Sequence, residues 1–342
     1  MKIEELSILE QLERMKITAE SPIPPHEFLF HWNDTPCFAR GELVAVTGKA
    51  KSGKTYLNSI LMAACASDGQ LGLTRLSEKP LRTLWVDTEQ SEDTTCEILR
   101  DRIGAMIGQP PSNDLFFVYN MRQLNWQFRL LPILSAISIC RPDLVIIDGI
   151  RDLVSDINSY DEAQKTIGQL LMAASEFHVC IVCVLHQNKA VEDKTLRGAL
   201  GTELQNKSFE TYECSKNADT RIFEIKQTAT RKYDMPNSIS FFISDKGLPV
   251  GCESVQEEPT QERELDVRDV FRQSLRGQSE MRACALKAQV KMRYRISSDS
   301  TYAGLLMQAI NLGIVVRKAV SNREVYYLPG PNLYEQTLDF EG

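Results

Sequence analysis

Long apolar runs are missing from this chain of 342 residues, and none reaches the roughly 18 residues that a membrane-spanning helix requires. The N-terminal residues Met1-Lys2-Ile3-Glu4-Glu5 also lack the pattern of a signal peptide, because acidic residues interrupt them at once. The sequence therefore predicts a cytoplasmic protein that has no membrane partner.

Cysteine is present at only nine positions, which is too few for a disulfide scaffold in a chain of this length. The one close pair, Cys180 and Cys183, lies inside the apolar run 179–185, which indicates a buried strand. Residues three apart on a strand point to opposite faces, so these two sulfur atoms cannot share a metal ion or form a bridge. We interpret both as small buried hydrophobic residues, and the sequence predicts no metal site at this pair.

An excess of positive charge is also missing, since 39 Lys and Arg residues face 46 Asp and Glu residues for a net charge of -7. Taken over the whole chain, this balance argues against a nucleic-acid-binding protein. The content of 43% hydrophobic and 25% charged residues is ordinary for a globular protein and excludes wholesale disorder. The length is sufficient for about two domains.

The order of apolar runs predicts an α/β fold with a mostly parallel sheet covered by helices. The predicted parallel strands are 43–47, 83–87, 115–119, 144–147 and 179–185, and shorter runs at 221–227 and 238–244 predict an antiparallel extension. The predicted segments are an N-terminal helix and proline-rich arm at 1–36, a core domain at 37–250, a linker at 251–264, a small domain at 265–330 and a tail at 331–342.

A phosphate-binding loop follows the first predicted strand of the core. The loop matches the pattern G-x-x-x-x-G-K-S/T and consists of Gly48, Lys49, Ala50, Lys51, Ser52, Gly53, Lys54 and Thr55. Its glycines let successive N–H groups face a phosphate, and the start of the following helix adds partial positive charge. Lys54 is predicted to reach the β- and γ-phosphates, and the Thr55 hydroxyl is predicted to bind Mg²⁺.

Two acidic residues complete the predicted catalytic site. Asp148 follows four apolar residues at the end of strand 144–147, where an Asp holds the Mg²⁺ shell in P-loop proteins. Glu89 stands just after strand 83–87, at the end of the sheet where open α/β folds bind their ligands. A carboxylate there can act as general base toward a water molecule aligned on the γ-phosphate.

These motifs, with the polar Leu185-His186-Gln187 at the end of the fifth strand, resemble the RecA-like ATPases over about residues 37–247. Within that group, the basic segment 187–207 is most similar to RepA-type and DnaB-like hexameric replicative helicases. The overall layout is also similar to AAA-type ATPases of bacterial mobile elements. The resemblance implies an ATPase that uses ATP and Mg²⁺ and works as a homo-oligomer, as a hexamer in the helicases.

The resemblance also implies roles for individual residues. Glu89 is the expected catalytic base, and Gln187, or His186 beside it, is the expected sensor of the γ-phosphate. The following loop is expected to contact single-stranded DNA through Lys189, Lys194 or Arg197. A basic residue that reaches the ATP of the neighbouring subunit is expected near strand 223–226, with Lys226 and Arg231 as candidates.

The small domain at 265–330 has three helical patterns and a β-hairpin, which is typical of a winged helix. Residues 261–334 contain twelve basic and seven acidic residues, so this part of the chain is positively charged although the whole chain is acidic. We predict that it contacts duplex DNA, with a protein partner as the alternative. The candidate contact residues are Lys287, Lys291, Arg293, Arg295, Arg317 and Lys318.

The sequence leaves three hypotheses open. The first is an ATP-dependent DNA-associated motor or loader of the RepA type. The second is a RecA-like recombination or repair ATPase that forms filaments instead of rings. The third is a nucleotide-gated regulator whose winged helix binds a promoter or a protein. A small-molecule kinase is disfavoured, because no compact lid with paired arginines follows the predicted sheet.

Overall fold

The chain folds as two units, Met1–Ser254 and Val255–Gly342, whose hydrophobic cores are separate. The structure, a computed structural model, describes residues 7–187, 198–252, 266–294, 299–321 and 324–334. The predicted linker lies outside the described residues except for its first two positions, 251 and 252.

The described residues of the first unit form two sheets. In chain order, its strands are β1 (Phe28–Trp32), β2 (Thr35–Ala39), β3 (Leu43–Gly48), β4 (Gly69–Gln70), β5 (Leu73–Arg75), β6 (Thr83–Asp87), β7 (Phe116–Asn120), β8 (Leu144–Asp148), β9 (Cys180–His186), β10 (Glu210–Lys216), β11 (Phe223–Thr230), β12 (Ile239–Ile243) and β13 (Pro249–Cys252). Its α-helices are α1 (Ile8–Met15), α2 (Lys54–Ala66), α3 (Glu92–Glu97), α4 (Gly104–Ile107), α5 (Leu130–Cys140), α6 (Tyr160–Phe177) and α7 (Gly198–Lys207). A π-helical turn, Ile98–Ile103, joins α3 to α4.

The large sheet has nine strands in the order β13-β12-β11-β10-β3-β9-β8-β6-β7. The six strands from β10 to β7 are parallel, and β11, β12 and β13 extend the sheet antiparallel to one another. The predicted α/β fold with a mostly parallel sheet is confirmed. It is the arrangement that the resemblance to RecA-like P-loop ATPases implies.

Helices cover both faces of this sheet, because the central strands are apolar on both sides. Leu57, Ile60 and Leu61 of α2 are buried in one core, and helices α5, α6 and α7 contribute to the core on the opposite face. Cys180 belongs to the first core and Cys183 to the second. The prediction that these two sulfur atoms lie on opposite faces of a buried strand is confirmed.

A small antiparallel sheet, β2-β1-β5-β4, packs against the same core as α2. The predicted boundary between arm and core at residue 36 falls inside the β1–β2 hairpin. The turn residues Asn33 and Asp34 have φ angles of +45° and +67°, which Asn and Asp tolerate better than most residues. Trp32, at the end of β1, is fully buried and donates its indole N–H to the carbonyl oxygen of Leu71 at 3.0 Å. The hairpin is therefore built into the first unit.

The second unit contains α8 (Val267–Ser274), β14 (Met281–Arg282), α9 (Ala283–Arg293), α10 (Asp299–Asn311), β15 (Val315–Ser321) and β16 (Glu324–Pro329). Its strands form an antiparallel sheet in the order β14-β16-β15. Phe271, Leu286 and Val290 lie in its core with little or no exposed surface. The three helices and the hairpin agree with the expected element order, and the winged-helix assignment itself stays a prediction.

Candidate active site

The P-loop joins β3 to α2 in a backbone conformation that requires its glycines. Gly48 and Gly53 have φ angles of +152° and +99°, which L side chains rarely adopt. A Cβ atom at Gly48 would lie 2.3 Å from the carbonyl oxygen of Cys214, and one at Gly53 would lie 2.7 Å from Cδ1 of Phe223. The neighbouring strands β10 and β11 therefore leave no room for a side chain at either position.

Lys54 begins α2 and is 7% exposed. Its Nζ donates hydrogen bonds to the carbonyl oxygens of Gly48 at 3.0 Å and Lys49 at 2.7 Å, so the ammonium group lies against the loop itself. Burial lowers the pKa of Lys54, and the negative charges of Glu89 and Asp148 oppose this shift. The Lys54 ammonium group therefore lies close enough to Glu89 and Asp148 for their negative charges to act on it.

Parallel register brings the predicted residues to one end of the sheet. Gly48 pairs with His186, and Asp87 pairs with Asp148. Nε2 of His186 lies 3.4 Å from Oε1 of Glu89. The hydrogen bond with His186 is the main reason that the pKa of Glu89 is lowered, and Lys54 adds to the effect. Glu89 is therefore an ionised carboxylate near neutral pH, as a general base must be.

Asp148 is 4% exposed, and no partner for its Oδ2 atom is found among the described residues. Burial, followed by the negative charges of Asp87 and Glu89, raises the pKa of Asp148 to about 7. A buried carboxyl group with an unpartnered oxygen needs a cation or a hydrogen-bond donor to offset the cost of its burial. Together with the Thr55 hydroxyl it fits the hard, oxygen-only ligands that Mg²⁺ prefers.

The turn that presents Glu89 is held by Asp87, which is fully buried. Oδ1 of Asp87 accepts hydrogen bonds from the backbone N–H groups of Glu89 and Gln90 at 3.1 and 3.0 Å. Its Oδ2 accepts a hydrogen bond from the Thr95 hydroxyl at 2.7 Å. The sequence motifs assign no role to Asp87, although an Asp two residues before a functional turn residue is a typical signal of such a local turn.

Thr88 connects the same turn to the end of β8. Its hydroxyl lies 3.0 Å from the carbonyl oxygen of Asp148 and 3.0 Å from Oδ2 of Asp152. Gly149 has a φ angle of +103°, and a Cβ atom there would lie 2.2 Å from the Thr88 hydroxyl and 2.9 Å from Cγ of Glu89. The close approach of the two strand ends therefore depends on this glycine.

These groups face a cavity of about 990 Å³. One set of lining residues contains the P-loop and the three strand ends described above: Lys51, Ser52, Gly53, Lys54, Thr55, Tyr56, Glu89, Gln90, Asp148 and His186. A second set, which we call the second wall, consists of Lys216, Thr220, Arg221, Ile222, Phe223, Phe242 and Ile243. This second wall comes from β10, β11, β12 and the β10–β11 loop, and sequence reasoning missed it because none of its residues belongs to a recognisable motif.

The structure separates the two residues that the sequence offered as γ-phosphate sensors. His186 lines the cavity, whereas Gln187 is absent from its lining. Gln187 is 8% exposed, and its Nε2 donates a hydrogen bond to Oε1 of Glu213 at 2.8 Å. His186 therefore lies with Glu89, and Gln187 connects the end of β9 to β10.

Neither of the two residues predicted to act on a neighbouring subunit lines the cavity. Lys226 is exposed on β11, opposite Glu213 in the β10–β11 register. The Arg231 guanidinium group donates hydrogen bonds to the carbonyl oxygens of Asn206 at 2.9 Å and Ser208 at 3.2 Å. Arg231 thus stabilises the end of α7 within its own chain.

The DNA-contact candidates of the first unit, Lys189, Lys194 and Arg197, lie outside the described residues, as does Arg295 of the second unit.

The other candidates lie on α9 and on β15 of the second unit. Lys287 and Lys291 are half-buried, and Nη1 of Arg293 lies 3.4 Å from the carbonyl oxygen of Gln273. Arg317 is exposed, and Nζ of Lys318 donates a hydrogen bond to Oε2 of Glu280 at 2.8 Å.

No described helix is long and apolar enough to cross a membrane. No group of three or more His, Cys, Asp or Glu side chains among the described residues is arranged to hold a metal ion. Mg²⁺ does not need such a group, because it is usually held by one or two protein ligands together with substrate phosphates.

Comparison with known proteins gives a family match that spans the site. A family model described as an AAA domain matches residues 12–192, more than half of the chain. Curated proteins contain no significant sequence match. Among solved structures, a KaiC-like protein from the hyperthermophilic archaeon Pyrococcus horikoshii OT3 aligns over 64% of this chain and 92% of its own, with 12% identity and a TM-score of 0.45. The matched residues contain the P-loop, Glu89, Asp148 and His186, and the chain belongs to the AAA domain family of P-loop ATPases.

Proposed function

We propose that this ATPase is a DNA-associated motor or loader of the RepA helicase type, which couples ATP turnover to the binding of single-stranded DNA in a ring-shaped homo-oligomer, most simply a hexamer. The observation that supports this most directly is the 3.4 Å contact between His186 and Glu89. His186 stands at the start of the basic segment 187–207, so the expected catalytic base touches the chain just before the expected DNA-contact loop.

The chemistry proposed for the site is hydrolysis of the γ-phosphate. Glu89 orients a water molecule and accepts its proton, and its lowered pKa keeps it ionised for this step. Lys54 and the P-loop N–H groups neutralise the charge on the phosphates. Thr55 and Asp148 are the residues that would hold Mg²⁺, which contributes charge neutralisation on the β- and γ-phosphates when it is bound.

The second wall of the cavity suits the nucleoside part of ATP. Phe242 and Ile243 present apolar surface, and Phe242 is 41% exposed, which leaves an aromatic face available to a base. Arg221 lies at the same wall in a left-handed conformation with a φ angle of +59°. Aromatic and guanidinium groups both stack on bases. Because every base offers a flat face for stacking, we expect this wall to discriminate only weakly between different purine bases.

Coupling to DNA is proposed to pass through the end of β9. Loss of the γ-phosphate changes the position of His186, and the neighbouring Gln187 is fixed to Glu213 of β10 by a 2.8 Å hydrogen bond. In this proposal Gln187 stays in place while His186 moves, so the motion is transmitted to the chain at a defined point. Lys189, Lys194 and Arg197 of the segment that follows are the proposed contacts to single-stranded DNA.

The second unit is proposed to be a winged helix that binds duplex DNA. Arg317 on β15 and the basic side chains on α9 are the proposed phosphate contacts. Lys318 is already paired with Glu280, so we expect it to contribute less than Arg317. The same compact unit also supports a second candidate function, a nucleotide-gated regulator in which ATP state controls duplex binding.

The ATPase rate with and without single-stranded DNA tests the proposal, with wild type, Lys54→Ala and Glu89→Gln compared. We expect single-stranded DNA to stimulate the wild type. Lys54→Ala is expected to lose nucleotide binding, and Glu89→Gln is expected to bind nucleotide with at least about 100-fold slower turnover. Full activity in Glu89→Gln contradicts the catalytic assignment, and an unstimulated wild type that binds duplex DNA favours the regulator. Open filaments in electron microscopy with ATP and single-stranded DNA contradict the ring.

A further inference from the structure

Asn58 is a buried asparagine with no role in any motif of the sequence. It lies on α2, in the turn that follows Lys54 and Thr55, and is 1% exposed. Neither Oδ1 nor Nδ2 of its side chain has a hydrogen-bond partner among the described residues. A buried amide group without partners is costly, and in native proteins such a group indicates a water molecule, an ion or a ligand that completes its hydrogen bonds.

The place of Asn58 in the fold identifies its neighbour. Side chains alternate along β8, and Leu144 and Ile146 lie in the core that contains Leu57 and Ile60 of α2. Asp148 has the same parity as these two residues, so it also faces α2. The Asn58 side chain lies close enough to Asp148 to act on its carboxyl group, although no atom pair of the two side chains meets hydrogen-bond distance and angle.

Asn58 and Asp148 thus leave unpartnered polar atoms next to each other behind the P-loop. Oδ2 of Asp148 lacks a partner among the described residues, as do both amide atoms of Asn58. Two buried groups share this property, and one of them stands three residues after Thr55 on α2, so together they form a place for hydrated Mg²⁺. Mg²⁺ retains several of its water molecules in proteins, and each bound water donates hydrogen bonds that need acceptors.

We propose that Asn58 is a positioning residue for the metal: its Oδ1 accepts a hydrogen bond from a water molecule of the Mg²⁺ shell, and its Nδ2 orients the Asp148 carboxylate. This inference rests on the proposed nucleotide and Mg²⁺ binding at the P-loop. An amide group suits both tasks, since it offers an acceptor and a donor without adding charge. Residues that orient metal ligands in this way change metal affinity by about 10- to 100-fold when they are replaced.

Replacement of Asn58 by leucine separates this role from a purely structural one. Leucine has a similar volume and removes both unpartnered atoms, so a structural role predicts equal or greater stability and unchanged metal binding. A positioning role predicts weaker metal binding while the nucleotide still binds in the absence of metal. The matched control is Thr83→Val, which also removes a buried hydrogen-bonding group but lies at the opposite end of β6 from Asp87.

The experiment measures Mn²⁺ affinity in the ADP complex from the electron paramagnetic resonance signal of free Mn²⁺. A fluorescent ADP analogue measures nucleotide affinity in EDTA. For Asn58→Leu we expect about 10-fold weaker Mn²⁺ binding, with ADP affinity in EDTA within about twofold of wild type. Thr83→Val is expected to match wild type in both measurements.

Unchanged Mn²⁺ affinity in Asn58→Leu overturns the inference. If Asn58→Leu does not fold, Asn58→Ser replaces it under the same criterion, because serine keeps one acceptor and leaves room for a water molecule. Asn58→Ser is expected to bind Mn²⁺ more weakly than wild type, and an affinity equal to that of wild type overturns the inference in this case too. Failure of the proposed function has a different signature: wild type then binds ADP no better than Lys54→Ala does, with or without metal.

Discussion

Nε2 of His186 lies 3.4 Å from Oε1 of Glu89, although the strands that carry these residues are not neighbours. His186 ends β9 and Glu89 follows β6, and β8 runs between these strands in the sheet. The contact therefore passes over the end of β8, where Asp148 lies. We therefore expect a change at this end of the cavity to affect Glu89, Asp148 and the chain at Gln187 together.

Replacement of His186 by alanine is expected to alter the pH dependence of the ATPase. The pKa of Glu89 is lowered mainly by its hydrogen bond with His186, so its loss raises that pKa. A base with a higher pKa becomes protonated at higher pH, so the acid limb of the plot of kcat against pH shifts to higher pH. The control is His178→Ala, which removes the exposed pair between His178 and Glu27 at 3.3 Å. An acid limb that stays in place shows that His186 does not control Glu89.

Replacement of Gly149 by alanine is expected to reduce turnover at least about 10-fold while nucleotide affinity stays within a few-fold of wild type. The new Cβ atom would lie 2.2 Å from the Thr88 hydroxyl and would push the turn that carries Glu89 away from β8. Gly108→Ala is the matched control, because Gly108 has a φ angle of +70° and no atom within 4 Å of its Cβ position. Equal losses of activity in both variants would falsify the role of close packing at Gly149.

Asp148 is expected to make the metal-free protein less stable as pH rises. Its pKa in the folded chain is about 7, above the ordinary value near 3.9 for an unfolded chain. Between those two values the native state binds a proton that the unfolded state does not, so the free energy of unfolding falls as pH increases. This loss is complete above about pH 7 and absent below about pH 4.

The variant Asp148→Asn removes this loss and is expected to gain stability over wild type. The gain at pH 8 is expected to exceed the gain at pH 5 by on the order of 2 to 3 kcal/mol, from two pKa units of difference. Urea unfolding in EDTA without nucleotide measures both values. A gain that is the same at the two pH values contradicts the assignment of the raised pKa to Asp148.

Lys226 and Arg231 are expected to behave differently when each is replaced by alanine. Arg231→Ala removes hydrogen bonds to the carbonyl oxygens of Asn206 and Ser208, so we expect a loss of about 1 kcal/mol in unfolding free energy. Lys226→Ala is expected to leave stability unchanged and to lower the ATPase rate in the assembled oligomer. Full ATPase activity in Lys226→Ala eliminates this residue as the one that acts on a neighbouring subunit.

Local patterns were sufficient to predict the P-loop and five of the six strands of the parallel sheet. The motif at residues 48–55 depends on glycine conformations and on its position between a strand and a helix, and both are visible in a short stretch of sequence. The predicted strand 83–87 coincides with β6, because its central residues are apolar and all five of its residues are buried. The β1–β2 hairpin was missed, and so was strand β10, in which the buried polar residues Glu210 and Thr211 hide the apolar pattern of a strand.

The amino-acid sequence was enough to predict the class of fold and to locate the P-loop motif, because both depend on residues close together in the chain and on the burial of apolar runs. Tertiary structure alone decided which polar groups lie together. It brought His186 into contact with Glu89 and let Gln187 donate a hydrogen bond to Glu213. It also engaged Arg231 in hydrogen bonds within its own chain and placed Asn58 close to Asp148. Such contacts join residues far apart in the chain, so they depend on strand order and register, which short-range patterns do not specify.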